Sequence, residues 1–251
     1  MDAATAWRAP ATIGWQRQDE VRVWLTGLDL GPRAVARLAG YLSDDESARA
    51  RRFHFGRDAT RFVVGRASLR LRLAECLDVA PTVIRFHYGA HGKPELAPPF
   101  DRSGLQFNAS HTDGIGLIAL TRGRRVGVDI ERIRPMPDLH DIAARMFSPA
   151  ERRALRGLPP IRQPEGFFNC WTRKEAYVKA VGTGLLHPLT RFTVSLEPGE
   201  PARLEDIDGD AVAAGRWRLE ALESIPGCAA AIAVETREAR RAGGLWQEPS
   251  T

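Results

Sequence analysis

Apolar positions recur along this chain at two periods, and the switches between them mark out the elements. Alternation over Val21 to Leu25 predicts a strand, and a helical pattern follows through Ala34 to Leu42. Ser43, with Glu46 three residues later, reads as a capping box that opens a short helix toward Arg52. A longer helix is predicted over Arg57 to Leu77, with Arg57, Arg61, Arg72 and Glu75 on its polar face. Arg66 and Arg70 fall inside its apolar arc. They need buried partners or a ligand, unless their stems pack and their heads escape to water. Short strands are predicted at Val83 to His87, Gln106 to Ala109, Ile115 to Thr121 and Val126 to Ile130. They are punctuated by Gly89, Gly92, Gly114 and the turn Arg122-Gly123-Arg124. Ser148-Pro149-Ala150-Glu151 is a second capping box, with proline at the first helical position. A second long helix spans about Glu165 to Val181 and stops at Gly182 and Gly184. Strands follow at Arg191 to Leu196, Arg216 to Leu222 and Cys228 to Glu235, and the tail from Arg237 reads as frayed.

Each half is thus a long helix followed by three or more strands. That order predicts an α+β protein of two lobes, residues 1–122 and 123–251. Each lobe is expected to be a long helix packed on a small, mostly antiparallel sheet. The functional site is expected in the cleft between the lobes, a favoured place for ligands.

Composition narrows the function classes. The 251 residues are 43% hydrophobic, enough for a packed core, and carry a formal charge of +5, mostly through arginine. That excess favours an anionic ligand or partner. Basic and aromatic residues are not interleaved in a stacking motif, which argues against nucleic acid. Cys76, Cys170 and Cys228 lie far apart with no paired framework, so a reducing cytoplasm is expected. The first fifteen residues have no apolar signal-peptide core, and the most apolar run, Cys228 to Val234, is too short to span a membrane.

Four stretches carry candidate chemistry. In Gly127-Val128-Asp129-Ile130-Glu131, strand alternation places Asp129 and Glu131 on one face and Val128 and Ile130 on the other, toward the core. Two neighbouring carboxylates repel unless a cation joins them, and an oxygen-only donor set suits Mg²⁺. A solvated strand face is the commoner reason for such a pair. In Trp171-Thr172-Arg173-Lys174-Glu175-Ala176-Tyr177-Val178-Lys179, Lys174 falls inside the apolar arc, where a bare ammonium is costly. Glu175 is available as a third carboxylate, and Lys174 and Lys179 as phosphate partners. Glu175 and Lys179 also fit an ordinary surface pair four residues apart, which leaves Lys174 unexplained. Phe107-Asn108-Ala109-Ser110-His111-Thr112 displays a hydroxyl and an imidazole at a strand end, and His91-Gly92-Lys93-Pro94 presents Lys93 on a turn. No glycine-rich phosphate loop is present, so phosphate binding rests on side chains.

In order, these stretches resemble the Sfp-like phosphopantetheinyl transferases. The match is carried by Arg49-x-Arg51-Arg52-Phe53, Arg61, Gly65 to Arg70, Gly92-Lys93-Pro94 and Phe107-Asn108-x-Ser110-His111. It continues through Gly127 to Glu131, Trp171-Thr172-x-Lys174-Glu175-Ala176, Lys179 and Gly182-x-Gly184-Leu185. The resemblance implies the pseudo-twofold, two-lobed and monomeric form of the family. It implies Mg²⁺-dependent transfer of the 4′-phosphopantetheine arm of coenzyme A to a serine of an acyl or peptidyl carrier protein, releasing adenosine 3′,5′-bisphosphate. By the same resemblance Asp129, Glu131 and Glu175 hold the metal, and Lys174 and Lys179 touch the phosphates. Ser110 and His111 reach the 3′-phosphate and its surroundings, and Arg49, Arg61 and Lys93 line the nucleotide end. Glu175 is the candidate base, directly or through a water on the metal. Glu46 stands where some members have lysine, which puts a 3′-phosphate contact there in doubt. A Mg²⁺ phosphohydrolase acting on nucleotide pyrophosphates is the rival reading of the three carboxylates alone.

Overall fold

The computed structural model describes residues 21–89, 92–182, 188–222 and 225–236. Gly184 and Leu185 of the last motif, His91, the first twenty residues and the tail from Arg237 lie outside the described residues. The chain divides into two compact units, Met1–Arg122 and Gly123–Thr251.

The first unit contains β1 (Val21–Gly27), α1 (Pro32–Ala39), α2 (Asp44–Ala50), α3 (Gly56–Leu77), β2 (Phe86–Tyr88), β3 (Pro94–Leu96), β4 (Leu105–Thr112) and β5 (Ile115–Arg122). Strands β1, β5 and β4 form an antiparallel sheet in that order, and β2 pairs with β3. Leu69, Leu73 and Ala74 of α3 pack with Trp24, Phe107, Ile118 and Leu120 of the sheet.

The second unit contains β6 (Val126–Arg132), α4 (Leu139–Met146), α5 (Pro149–Gly157), α6 (Gln163–Val181), β7 (Phe192–Val194), β8 (Leu204–Ile207), α7 (Ala211–Ala214), β9 (Trp217–Ala221) and β10 (Cys228–Glu235). Its main sheet runs β6-β10-β9, antiparallel throughout, and β7 pairs with β8. Phe167, Cys170, Tyr177 and Val178 of α6 join Ala229, Ala231 and Ala233 of β10 in one core. Each unit is therefore a long helix on a small antiparallel sheet. Among the described residues no helix is long and apolar enough to cross a membrane.

The two units share a local device that the periodicity only half revealed. In the first, Glu46 accepts from the Ser43 backbone N–H to close its capping box, and the same carboxylate accepts from Arg70 Nε at 2.7 Å. Arg70 also donates to the carbonyls of Pro81 and Ile84, at 3.0 and 2.9 Å. In the second, Glu151 closes the box on Ser148, and Lys174 Nζ lies 2.8 Å from Glu151 Oε1. Lys174 donates to the carbonyls of Leu189 and Phe192, at 2.7 and 2.6 Å. Each unit thus ties a short helix, a long helix and a following 3₁₀ turn together through one buried carboxylate and one buried cation.

This overturns the expectation that Lys174 faces a pyrophosphate. Its side chain is 0% exposed, and its charge and hydrogen-bonding capacity are spent inside the unit, as those of Arg70 are in the other. A lysine in an apolar arc is tolerable when a buried carboxylate and carbonyl oxygens surround the ammonium. Burial pushes the Glu151 carboxyl above its ordinary range, while Lys174 and the backbone donors pull it back.

Removing one member of such a pair strands the other. Lys174→Met should destabilise the protein by about 3–5 kcal/mol in denaturant unfolding. Pairing it with Glu151→Gln should recover part of that loss, since the stranded charge is then gone. A cost of ~1 kcal/mol or less, as for an exposed pair, would contradict this placement.

Candidate active site

Two groups of sequence-predicted residues come together, one in each unit. In the second unit the group is built on the packing of α6 against β6. An added Cβ at Gly127 would lie 2.1 Å from the Ala176 carbonyl oxygen and 2.3 Å from the Ala180 nitrogen. Only glycine allows helix backbone to approach strand backbone this closely. On the neighbouring strand, Ala233, Ala231 and Ala229 stand opposite Gly127, Asp129 and Glu131, so the surface under the helix is made of small residues.

That packing reverses part of the sequence reading. The face bearing Asp129 is the face α6 covers, and Val128 and Ile130 are buried on the other. Asp129 is buried because the helix lies over it. Ala176, Lys179 and Ala180 sit on Gly127, and Glu175 immediately precedes the first of them, so the helix delivers Glu175 and Lys179 beside Asp129. Lys179 Nζ lies 2.6 Å from Asp129 Oδ1. Glu175 is half-buried, and its Oε1 is enclosed without a hydrogen-bond partner. Burial pushes the Glu175 carboxyl above the ordinary carboxylate range, Lys179 opposes the shift, and the negative charge of Asp129 adds to it.

The expected trio of acids is only partly assembled. Among the described residues no three or more His, Cys, Asp or Glu side chains are grouped to hold a metal ion. Lys179 occupies an oxygen of Asp129, and Glu131 lies two residues along the strand, about 7 Å further on by strand rise. What the structure does bring together is Asp129, Lys179 and Glu175. Two carboxylates suffice for Mg²⁺, which usually takes one or two and completes its shell with water and phosphate oxygens. The oxygen donors and the enclosed, unpartnered Glu175 Oε1 fit that ion.

In the first unit a cavity of about 720 Å³ opens between α3 and the end of β4. Arg49, Arg61, Ser110 and His111 all line it, together with Phe62 and Gly92. Its volume is that of a small-molecule site. Two expectations change here. Lys93 lines a separate small concavity with His87 and Glu95 and is not among the residues lining the larger one. Arg61 lines the cavity, but its Nε and Nη2 reach the two oxygens of Asp29 at 2.6 and 2.8 Å. That pairing holds the Asp29 carboxyl below its usual range. Asp29 carried no sequence signal. Gly114, at φ +78°, leaves it room, since a Cβ there would sit 2.2 Å from its Oδ2.

Two outcomes follow from the α6–β6 contact. Gly127→Ala should cost about 1–3 kcal/mol or more in unfolding, because backbone rather than a flexible side chain must shift; a neutral substitution would contradict the contact. Glu175 has a raised pKa in the fold, so between its unfolded and folded values the native state binds more protons and stability falls as pH rises. Without divalent ions, Glu175→Gln should remove that fall and raise the melting temperature at neutral pH. A lower melting temperature for the variant at pH 7 would be the opposite sign.

Comparison with known proteins finds matches in both units. Residues 125–233 match the 4′-phosphopantetheinyl transferase superfamily, and residues 32–122 match the family described as 4′-phosphopantetheinyl transferase, N-terminal. The 4′-phosphopantetheinyl transferase HetI of Nostoc sp. is 41% identical over 229 residues, covering 91% of this chain and 90% of that protein. The 4′-phosphopantetheinyl transferase Sfp of Bacillus subtilis is 30% identical over 169 residues, covering 67% and 73%. A solved holo-(acyl-carrier-protein) synthase from Bacillus anthracis, in complex with CoA (3′,5′-ADP), aligns at 25% identity over 44% of this chain and 94% of its own, with a TM-score of 0.35. Matched in both units, and along nine-tenths of a relative at 41% identity, the chain belongs to the 4′-phosphopantetheinyl transferase superfamily and is of the Sfp type.

Proposed function

We propose that the Asp129–Lys179–Glu175 group acts on the pyrophosphate of coenzyme A, and that the cavity of the first unit seats the nucleotide end. As a phosphopantetheinyl transferase, the enzyme moves the 4′-phosphopantetheine arm of coenzyme A onto a carrier protein. The observation that carries the reading is the 2.6 Å ion pair of Lys179 with Asp129 beside the unpartnered oxygen of Glu175. It joins the two most specific sequence motifs at one point.

Asp129 and Glu175 would hold Mg²⁺, with Glu131 on the same strand face as a further donor. Bound there, the ion supplies positive charge to a pyrophosphate and to the charge that grows on it in the transition state. Lys179 keeps a partly exposed ammonium on a long stem, able to turn from Asp129 to a phosphate oxygen. Glu175 is the candidate base for the carrier serine. A carboxylate that also holds a cation is a weak base, so proton transfer through a water beside Glu175 carries equal weight. Lys174 has no part in this chemistry and serves the fold. The serine attacks phosphorus, the arm passes to the carrier, and adenosine 3′,5′-bisphosphate leaves.

The basic enzyme suits an acidic carrier surface, because opposite charge speeds encounter. A monomer working in the cytoplasm completes the reading. It is supported by the two-lobed family form and by the wide spacing of Cys76, Cys170 and Cys228 along the sequence.

Incubation with coenzyme A, MgCl₂ and a panel of apo acyl and peptidyl carriers, read by intact mass, tests the reading. One phosphopantetheine arm should be gained by at least one carrier, with bisphosphate released only when carrier is present. Chelation of divalent ions should stop transfer, and Glu175→Ala should slow it by about 10²–10⁴-fold. Transfer at full rate by that variant, or in excess chelator, would remove the mechanism. Release of bisphosphate without carrier would favour a hydrolase instead.

A further inference from the structure

Of the two arginines that α3 carries inside its apolar arc, Arg70 is fully partnered and Arg66 is not. The Arg66 side chain is 10% exposed. Its Nε lies 3.6 Å from Glu46 Oε1, beyond hydrogen-bond reach, and its Nη1 is buried with no hydrogen-bond partner. The guanidinium is held by aromatic faces, 5.1 Å from the Phe86 ring centre and 5.8 Å from that of Phe62. The Arg49 guanidinium lies over the same Phe62 ring at 5.1 Å. Arg49, Phe62 and Arg66 all line the cavity of the first unit.

A charge count shows what this wall lacks. Glu46 is one negative charge facing two guanidiniums, and Arg70 takes its hydrogen bond. Asp45 adds a second negative charge on the Arg70 side, which leaves Arg66 as the guanidinium with no hydrogen-bonded carboxylate, and Arg49 shares the Phe62 ring with it. The opposite holds at Arg61, where Asp29 forms a two-pronged pair and Asp58 and Asp113 deepen the negative field. The cavity thus has a cationic side at Arg49 and Arg66 and a neutralised side at Arg61. A nearly buried guanidinium with an open donor is costly alone and strongly favours an anion with several acceptor oxygens.

We propose that Arg66 recognises the 3′-phosphate of coenzyme A and so sets the enzyme's preference for coenzyme A over its 3′-dephospho form. The inference rests on the reading that this cavity takes the nucleotide end. On that reading the pyrophosphate belongs to the Asp129 group, and the 3′-phosphate is the remaining anion. As a dianion it matches the two guanidiniums of Arg66 and Arg49. The glutamate that displaces a family lysine at position 46 does not abolish the phosphate site; it orients the arginine that forms it.

The test is calorimetric binding of adenosine 3′,5′-bisphosphate and of adenosine 5′-monophosphate to the full chain. These differ only in the 3′-phosphate. The wild type should prefer the bisphosphate by on the order of 10- to 100-fold, the range of a charge-assisted hydrogen bond. Arg66→Met should bring the bisphosphate down to the affinity of the monophosphate while the monophosphate is bound as before. The fold should survive, because Glu46 and Arg70 remain a matched pair. If Arg66→Met does not fold, Arg66→Lys is read instead. Its single ammonium cannot chelate, so the preference should shrink without vanishing. A variant that keeps the full wild-type preference overturns the assignment to Arg66 and leaves the cavity reading standing. A wild type that binds neither nucleotide overturns the cavity reading and the assignment together, and one that binds both equally overturns the assignment alone.

Discussion

Helix α6 rests on strand β6 with no room for a side chain at Gly127, and the chemistry of the second unit follows from that contact. A helix held at ordinary distance would leave Asp129 on a wet strand face and Glu175 on a helix flank. Pressed together, they place two carboxylates and an ammonium in one partly buried cluster, where charges interact more strongly than in water. The alanines of β10 belong to the same constraint. The run Cys228 to Val234 is small-sided because the helix needs a shallow surface, as well as apolar because it is buried.

A buried carboxylate–cation pair braces α6, and a matching pair braces α3 in the first unit. Glu151 and Lys174 join α5, α6 and the turn before β7, while Glu46 and Arg70 join α2, α3 and the turn before β2. Buried ion pairs contribute little to stability relative to apolar packing, but they strongly penalise arrangements that separate them. Their recurrence in both units, on corresponding elements and with the same pair of carbonyl acceptors three residues apart, gives a physical content to the repeat that shows only coarsely in the sequence. The first unit adds Arg66 to its pair, a second guanidinium sharing Glu46; the second unit pairs one for one.

Much of the fold was legible because periodicity and caps are local. Both capping boxes, both long helices and the strand over Cys228 to Glu235 read directly from residue spacing. Strands β3 and β8 and helices α4 and α7 are not legible in the sequence because each is short and lacks a sustained periodic pattern. The strand expected over Val83 to His87 begins only at Phe86, and Pro81–Val83 form a 3₁₀ turn opened by the proline. For the site, motif resemblance located Asp129, Glu175 and Lys179. Which of Lys174 and Lys179 faces the carboxylates was not legible, since helix periodicity marks a burial arc but not what lies across it. The answer depended on Glu151, more than twenty residues earlier. Asp29 escaped notice for the same reason, because a lone loop carboxylate shows its value only once Arg61 is seen to reach it.

The central claim is that Asp129 and Glu175, brought together by the α6–β6 contact, form one divalent-ion site that coenzyme A completes. It is tested most directly by titrating Mn²⁺ in the presence of coenzyme A and following the free ion by electron paramagnetic resonance. Asp129→Asn and Glu175→Gln, both folded, should each weaken Mn²⁺ binding on the order of tenfold or more, since even outer-shell losses cost that much. Unchanged Mn²⁺ affinity in both variants would show that the two carboxylates share no ion.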